Sequence, residues 1–105
     1  MKQNNSLTSI DYQDYLITSL KDSDEAIAYL NAALSEDEDS FLLALHNVAT
    51  AWGFSNLAEK SGLDRAGLYR MLSASGNPKL KSLTSLLRSM GLSIFITKDP
   101  KHSDA

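Results

Sequence analysis

Apolar residues recur every three to four positions along most of this chain, the spacing of one face of a helix. The first nine residues are polar, lack that period and read as an arm. Ile10, Tyr12, Tyr15, Leu16 and Leu20 then bring apolar mass, and Asp11 stands where an N-cap for a short helix from about Tyr12 to Ser19 belongs. Asp22-Ser23-Asp24-Glu25 sets acids at a helix start, ahead of Ile27, Leu30, Ala33 and Leu34, and predicts a helix from about Asp24 to Ser35. Beyond the acidic link Glu36-Asp37-Glu38-Asp39, the residues Leu42, Leu45, Ala49 and Trp52 mark a helix from Asp39 to Trp52, which Gly53 stops. Two short helical stretches follow, Ser55–Ser61 and Arg65–Ser73, on either side of Gly62-Leu63-Asp64. Ser75-Gly76-Asn77-Pro78 is a loop. Lys79–Met90 reads as a helix with Leu80, Leu83, Leu86, Leu87 and Met90 on one side, ended by Gly91. Leu92-Ser93-Ile94-Phe95-Ile96-Thr97 is rich in β-formers and reads as a strand. The pattern predicts a mainly α bundle of about five helices with a short C-terminal β-strand. Its organisation is an arm with a short helix over 1–20, a folded domain over 21–98 and a polar tail over 99–105.

Composition adds bounds. With 105 residues, 43% hydrophobic and 22% charged, the chain suits one globular domain. It has no cysteine, so disulfides and thiolate metal sites are excluded. No apolar run approaches the roughly 20 residues that span a bilayer. Met1-Lys2-Gln3-Asn4-Asn5-Ser6 lacks the apolar core of a signal peptide, so the expectation is a soluble cytoplasmic protein.

A net charge of −3 argues at first against a nucleic-acid partner, but the charge is unevenly spread. Residues 1–52 hold nine acids and two lysines, a net of −7. Residues 53–98 hold Lys60, Arg65, Arg70, Lys79, Lys81, Arg88 and Lys98 against Glu59 and Asp64, a net of +5. Such asymmetry suggests two surfaces with different tasks.

The basic half contains the most informative segment, Ser55 to Leu72. A helix-turn-helix needs a small residue where its helices cross, and Ala58 is one. Four positions on, its turn needs a residue that tolerates positive φ, and Gly62 does. Apolar residues must point inward from both helices, and Leu57, Leu63, Leu68 and Met71 fall at those offsets. The second helix needs an N-cap, which Asp64 supplies. An ordinary helical hairpin would share the glycine and the leucines. It would not call for Arg65, Ala66, Tyr69 and Arg70 as the outward residues, where a solvated face carries a Glu/Lys mixture. In a helix-turn-helix, Arg65 and Arg70 are able to reach guanine or phosphate, and Tyr69 a thymine methyl or phosphate. Asn56, Lys79 and Lys81 are placed for backbone phosphates. Gly67 is unexpected inside a helix, where glycine costs about 1 kcal/mol relative to alanine.

With Ala26-Ile27-Ala28-Tyr29-Leu30-Asn31-Ala32-Ala33-Leu34, Leu57-Ala58, Gly62-Leu63, Leu68-Tyr69, Gly76-Asn77-Pro78 and Leu86-Leu87-Arg88-Ser89-Met90-Gly91-Leu92 in view, the chain resembles a family of Xre/Cro-type antitoxins. These are HigA-like addiction-module antidotes, and the resemblance runs from about Ile10 to Thr97. It implies a lambda-repressor-like fold, a RelE/ParE-type toxin that the protein neutralises, and operator DNA through which it represses its own operon. General Xre proteins carry Ser or Thr near the start of the recognition helix; here stand Asp64 and Ala66-Gly67, so no base preference carries over.

A lone strand leaves backbone groups open on both edges and is not stable. Leu92, Ile94, Phe95 and Ile96 are therefore expected to pair with a copy in a homodimer, with the arm near Leu7–Ile10, or with a partner chain. An enzyme is not expected. His46 sits within a helix beside Leu45, His102 lies in the tail, and no third residue completes a catalytic group. The acids look like helix-end charges rather than a calcium or glycosidase site, and no cofactor is implied. Trp52, Phe41 and Phe54 read as core. Two other readings remain: a stand-alone repressor without a toxin, and a protein-interaction module without DNA binding.

Overall fold

A computed structural model describes residues 12–100. Six helices form among them: α1 over 12–19, α2 Ser23–Leu34, α3 Glu38–Trp52, α4 Phe54–Ser61, α5 Arg65–Met71 and α6 Leu80–Ser89. The expected cap Asp11 and the arm near Leu7–Ile10 lie outside the described residues, as does the tail from 101 onward.

Aspartates set three of the helix starts. The Asp22 carboxylate accepts the Glu25 N–H at 3.1 Å, and the Asp37 carboxylate accepts the Ser40 N–H at 2.6 Å. Each satisfies an amide that the first turn leaves without a helical partner. The acidic link is thus a cap followed by the first turn of α3, and α2 and α3 each begin one residue earlier than the apolar period implies. The Ser40 N–H, with the Ser40 hydroxyl, holds the exposed Asp37 carboxyl below the ordinary carboxylate range.

Helix α2 packs along α3, while α4 contacts α3, α5 and α6. The core joins Leu20, Ala26, Leu30, Leu42, Leu45, Val48 and Ala49 to Phe54, Leu57, Leu68, Leu72, Leu86, Leu87 and Met90. The buried face of α2 runs through Ala26 and Leu30 with Ala33 beside it, so the expected Ile27 and Leu34 are exposed. Leu80 likewise lies out in solvent at the start of α6. Two long-range bonds tie the first half together. Trp52 Nε1 donates to the Leu20 carbonyl at 2.9 Å, joining the end of α1 to the end of α3. Asn47 Nδ2 donates to the Tyr29 hydroxyl at 2.7 Å, between α3 and α2.

The expected C-terminal strand is not formed. The Leu92 N–H donates to the Leu87 carbonyl at 2.9 Å and its side chain rests on the core. From there the chain runs without regular structure, with Ile94, Phe95 and Ile96 exposed at 49%, 84% and 87%. β-propensity describes how well a residue fits a pleated surface beside neighbours. Among the described residues no second segment lies alongside 92–97 to provide that surface. No described helix is long and apolar enough to cross a membrane.

The loop between α5 and α6 explains one glycine. A Cβ on Gly76 would be driven into the Met71 carbonyl group and would stand 3.0 Å from the Ser73 carbonyl oxygen. Both neighbours are backbone and cannot rotate away. Gly76→Ala is expected to lower the unfolding free energy by about 1–3 kcal/mol, the usual cost of forcing atoms into a filled site. The measurement is the urea midpoint at unchanged slope; an unmoved midpoint would show that the loop lifts freely off α5.

Candidate nucleic-acid interface

The site is built from α4, its turn and α5. Helix α4 buries Phe54 and Leu57 and ends at Gly62, whose φ of 79° and ψ of 6° lie in the left-handed region. Its N–H closes the last turn on the Ala58 carbonyl at 3.0 Å. A side chain at position 62 would be strained by that backbone, not by any neighbour, since nothing lies within 4 Å of a built Cβ. The Ser61 hydroxyl accepts the Leu63 N–H at 3.3 Å. Asp64 then takes an extended conformation and caps α5, its carboxylate accepting the Gly67 N–H at 2.9 Å.

Leu57 and Leu68 are fully buried, while Ala58, Leu63 and Met71 are half-buried against the core. The cap also accounts for Gly67: a Cβ there would stand 2.5 Å from Asp64 Oδ1, so a larger residue must displace the capping carboxylate.

The outward residues divide into two neighbouring stripes. Arg65, Ala66, Tyr69 and Arg70 are all exposed. The Tyr69 ring lies flat on Phe54, with centroids 4.1 Å apart and planes 1° from parallel. The Arg65 guanidinium sits 5.9 Å from the Tyr69 centroid on α5 itself, within reach of a cation–π contact. His46 from α3 closes the aromatic group, 5.2 Å from Phe54 and 6.3 Å from Tyr69. On the other stripe, Arg70 shares an open groove with Lys79, floored by Gly67, Met71 and the 75–78 loop.

Lys81 is exposed on α6 but does not line that groove. Asn56 is exposed in the first turn of α4, and its amide nitrogen turns back to the Trp52 carbonyl at 3.4 Å. The sequence alone marks Phe54 as core and His46 as a structural or surface histidine, and does not show the support both give to Tyr69. No short-range spacing links position 46 or 54 to 69; only the packing of α3 and α4 against α5 brings them together.

No solved structure gives a significant match. An uncharacterized protein of Haemophilus influenzae is 35% identical over 74 residues, covering 70% of this chain and 76% of the relative. A family described as "probable addiction module antidote protein" matches residues 6–98, through all six helices and beyond them at both ends. This chain belongs to that addiction-module antidote family.

Proposed function

We propose that the chain is the antidote of a toxin–antitoxin pair, a non-enzymatic cytoplasmic protein that neutralises a RelE/ParE-type toxin and represses its own operon. Helix α4, the Gly62 turn and α5 act as an Xre/Cro-type helix-turn-helix, with α5 in the major groove of operator DNA. The observation that carries the DNA reading is the outer surface of α5. A seven-residue helix, fixed by the Asp64 cap and the buried Leu68, presents Arg65, Tyr69 and Arg70 to solvent in the basic half of the chain. Family membership supports the toxin partner. The RelE/ParE class rests on the resemblance carried by the Tyr29–Leu34 and Gly76-Asn77-Pro78 pieces.

The reader acts as a homodimer, since helix-turn-helix proteins bind paired half-sites about 34 Å apart. The exposed Ile94, Phe95 and Ile96 are the apolar surface that a second copy covers. The test is titration of the purified chain with its own upstream DNA and with a scrambled duplex, at several salt concentrations. The expected result is preference for the upstream DNA, two chains per site, and affinity that falls steeply with salt. Equal, weak binding to both duplexes would overturn the repressor role and leave a protein-interaction module.

A further inference from the structure

The DNA reading uses the basic half and leaves the acidic half without a task. Helices α2 and α3 enclose an open trough whose floor is Ala33, Leu43 and Ala44. Tyr29, bonded to Asn47, bounds one end. Glu36 and Ser40 bound the other. Small alanines let an incoming backbone approach closely, and Leu43, 51% exposed, offers an apolar anchor.

The rim is of one sign. Glu36 lines the trough itself, while Glu25 lies one helical turn before Tyr29 and Asp39 one turn before Leu43, on the same helix faces just outside the lining. Residues 22–59 contain no lysine or arginine. Among the described residues, Glu25, Glu36 and Asp39 have no ion-pair partner. A negative rim repels nucleic acid and favours a cationic protein surface.

We infer that this trough is the toxin-docking surface, and that its occupant is a basic amphipathic helix of the toxin. Apolar residues of that helix seat on Ala33 and Leu43, over the buried Ala44, while its lysines or arginines meet Glu25, Glu36 and Asp39. Helix-in-groove recognition of this kind uses an apolar stripe for affinity and rim charges for register and approach. The inference rests on the antidote reading above.

The test titrates the protein encoded by the reading frame beside this chain's gene into the wild type, Leu43→Lys, the double variant Glu36→Lys/Asp39→Lys, and Arg65→Ala. All substituted side chains are exposed, so folding is retained and is checked by the melting curve. Leu43→Lys and the double variant are expected to bind about tenfold or more weakly, as loss of an interface anchor does. Arg65→Ala is expected to bind as the wild type does. If the wild type binds and the trough variants bind equally well, the docking surface is elsewhere and the antidote reading stands. If the wild type itself does not bind, the antidote reading falls and the docking surface with it.

Discussion

Arg65→Ala is expected to weaken binding to the chain's own upstream DNA by about 1–3 kcal/mol and to leave binding to a scrambled duplex nearly unchanged, the behaviour of a base-reading arginine. Arg65 is the first residue of α5, and residues at that end of a recognition helix face base edges. The flat Phe54–Tyr69 stack beneath its guanidinium narrows the conformations of a long side chain before DNA arrives. Less side-chain freedom is then lost on binding. Arg70 is expected to behave differently. It shares its groove with Lys79, so the two cations suit a phosphate. Arg70→Ala should therefore weaken both duplexes alike and lower the salt slope by about one. Both arginines are exposed, and surface changes of this kind move stability by no more than about 0.5 kcal/mol. Wild-type affinity in Arg65→Ala would remove α5 from the groove.

Leu68→Ala is expected to cost about 3–5 kcal/mol of stability, the range for a leucine removed from a closed core. Leu68 is 0% exposed and lies on the inner side of the helix that carries Arg65, Tyr69 and Arg70. Small domains are stable by only about 5–15 kcal/mol, so this single cavity takes a large share of the total. The denaturation midpoint reports it, and DNA binding should decline only as the folded fraction does. Leu80→Ala is the control: Leu80 is 67% exposed, and its removal should barely move the midpoint. A small shift for Leu68→Ala would mean that α5 is docked loosely on the core and that its face is not held rigid for reading DNA.

Legibility in the sequence followed the range of the forces involved. Helices α2 and α5 were legible from local start signals, since Asp22 and Asp64 each bond an amide three residues ahead, whereas Asp37, read as part of an acidic link, is itself the cap of α3. Gly62 was legible for the same reason, since its φ is set within one turn. Which side of α2 is buried was harder. Ile27 and Leu34 share the spacing of Leu30, yet the helix rolls so that Ala26 and Ala33 face the core, because small residues let α2 approach α3 closely. The predicted strand failed for a different reason. Residues 92–97 have the right side chains, but propensity supplies no neighbour to bond with. Arg65, Ala66, Tyr69 and Arg70, the outward residues of α5, are exposed. The aromatic group beneath Tyr69 was invisible, because His46, Phe54 and Tyr69 meet only after three helices have packed.

The indole of Trp52 gives the molecule a built-in optical gauge. It is the chain's one tryptophan, half-buried at the last turn of α3, with its N–H held by the Leu20 carbonyl. That position is the seam between the acidic pair α2 and α3 and the basic cluster of α4 to α6. Detachment of the first helix frees the indole N–H to water, and a shift of α3 against α4 changes what lies beside the ring. Intrinsic emission from this single fluorophore therefore follows strain on either side of the seam without a label.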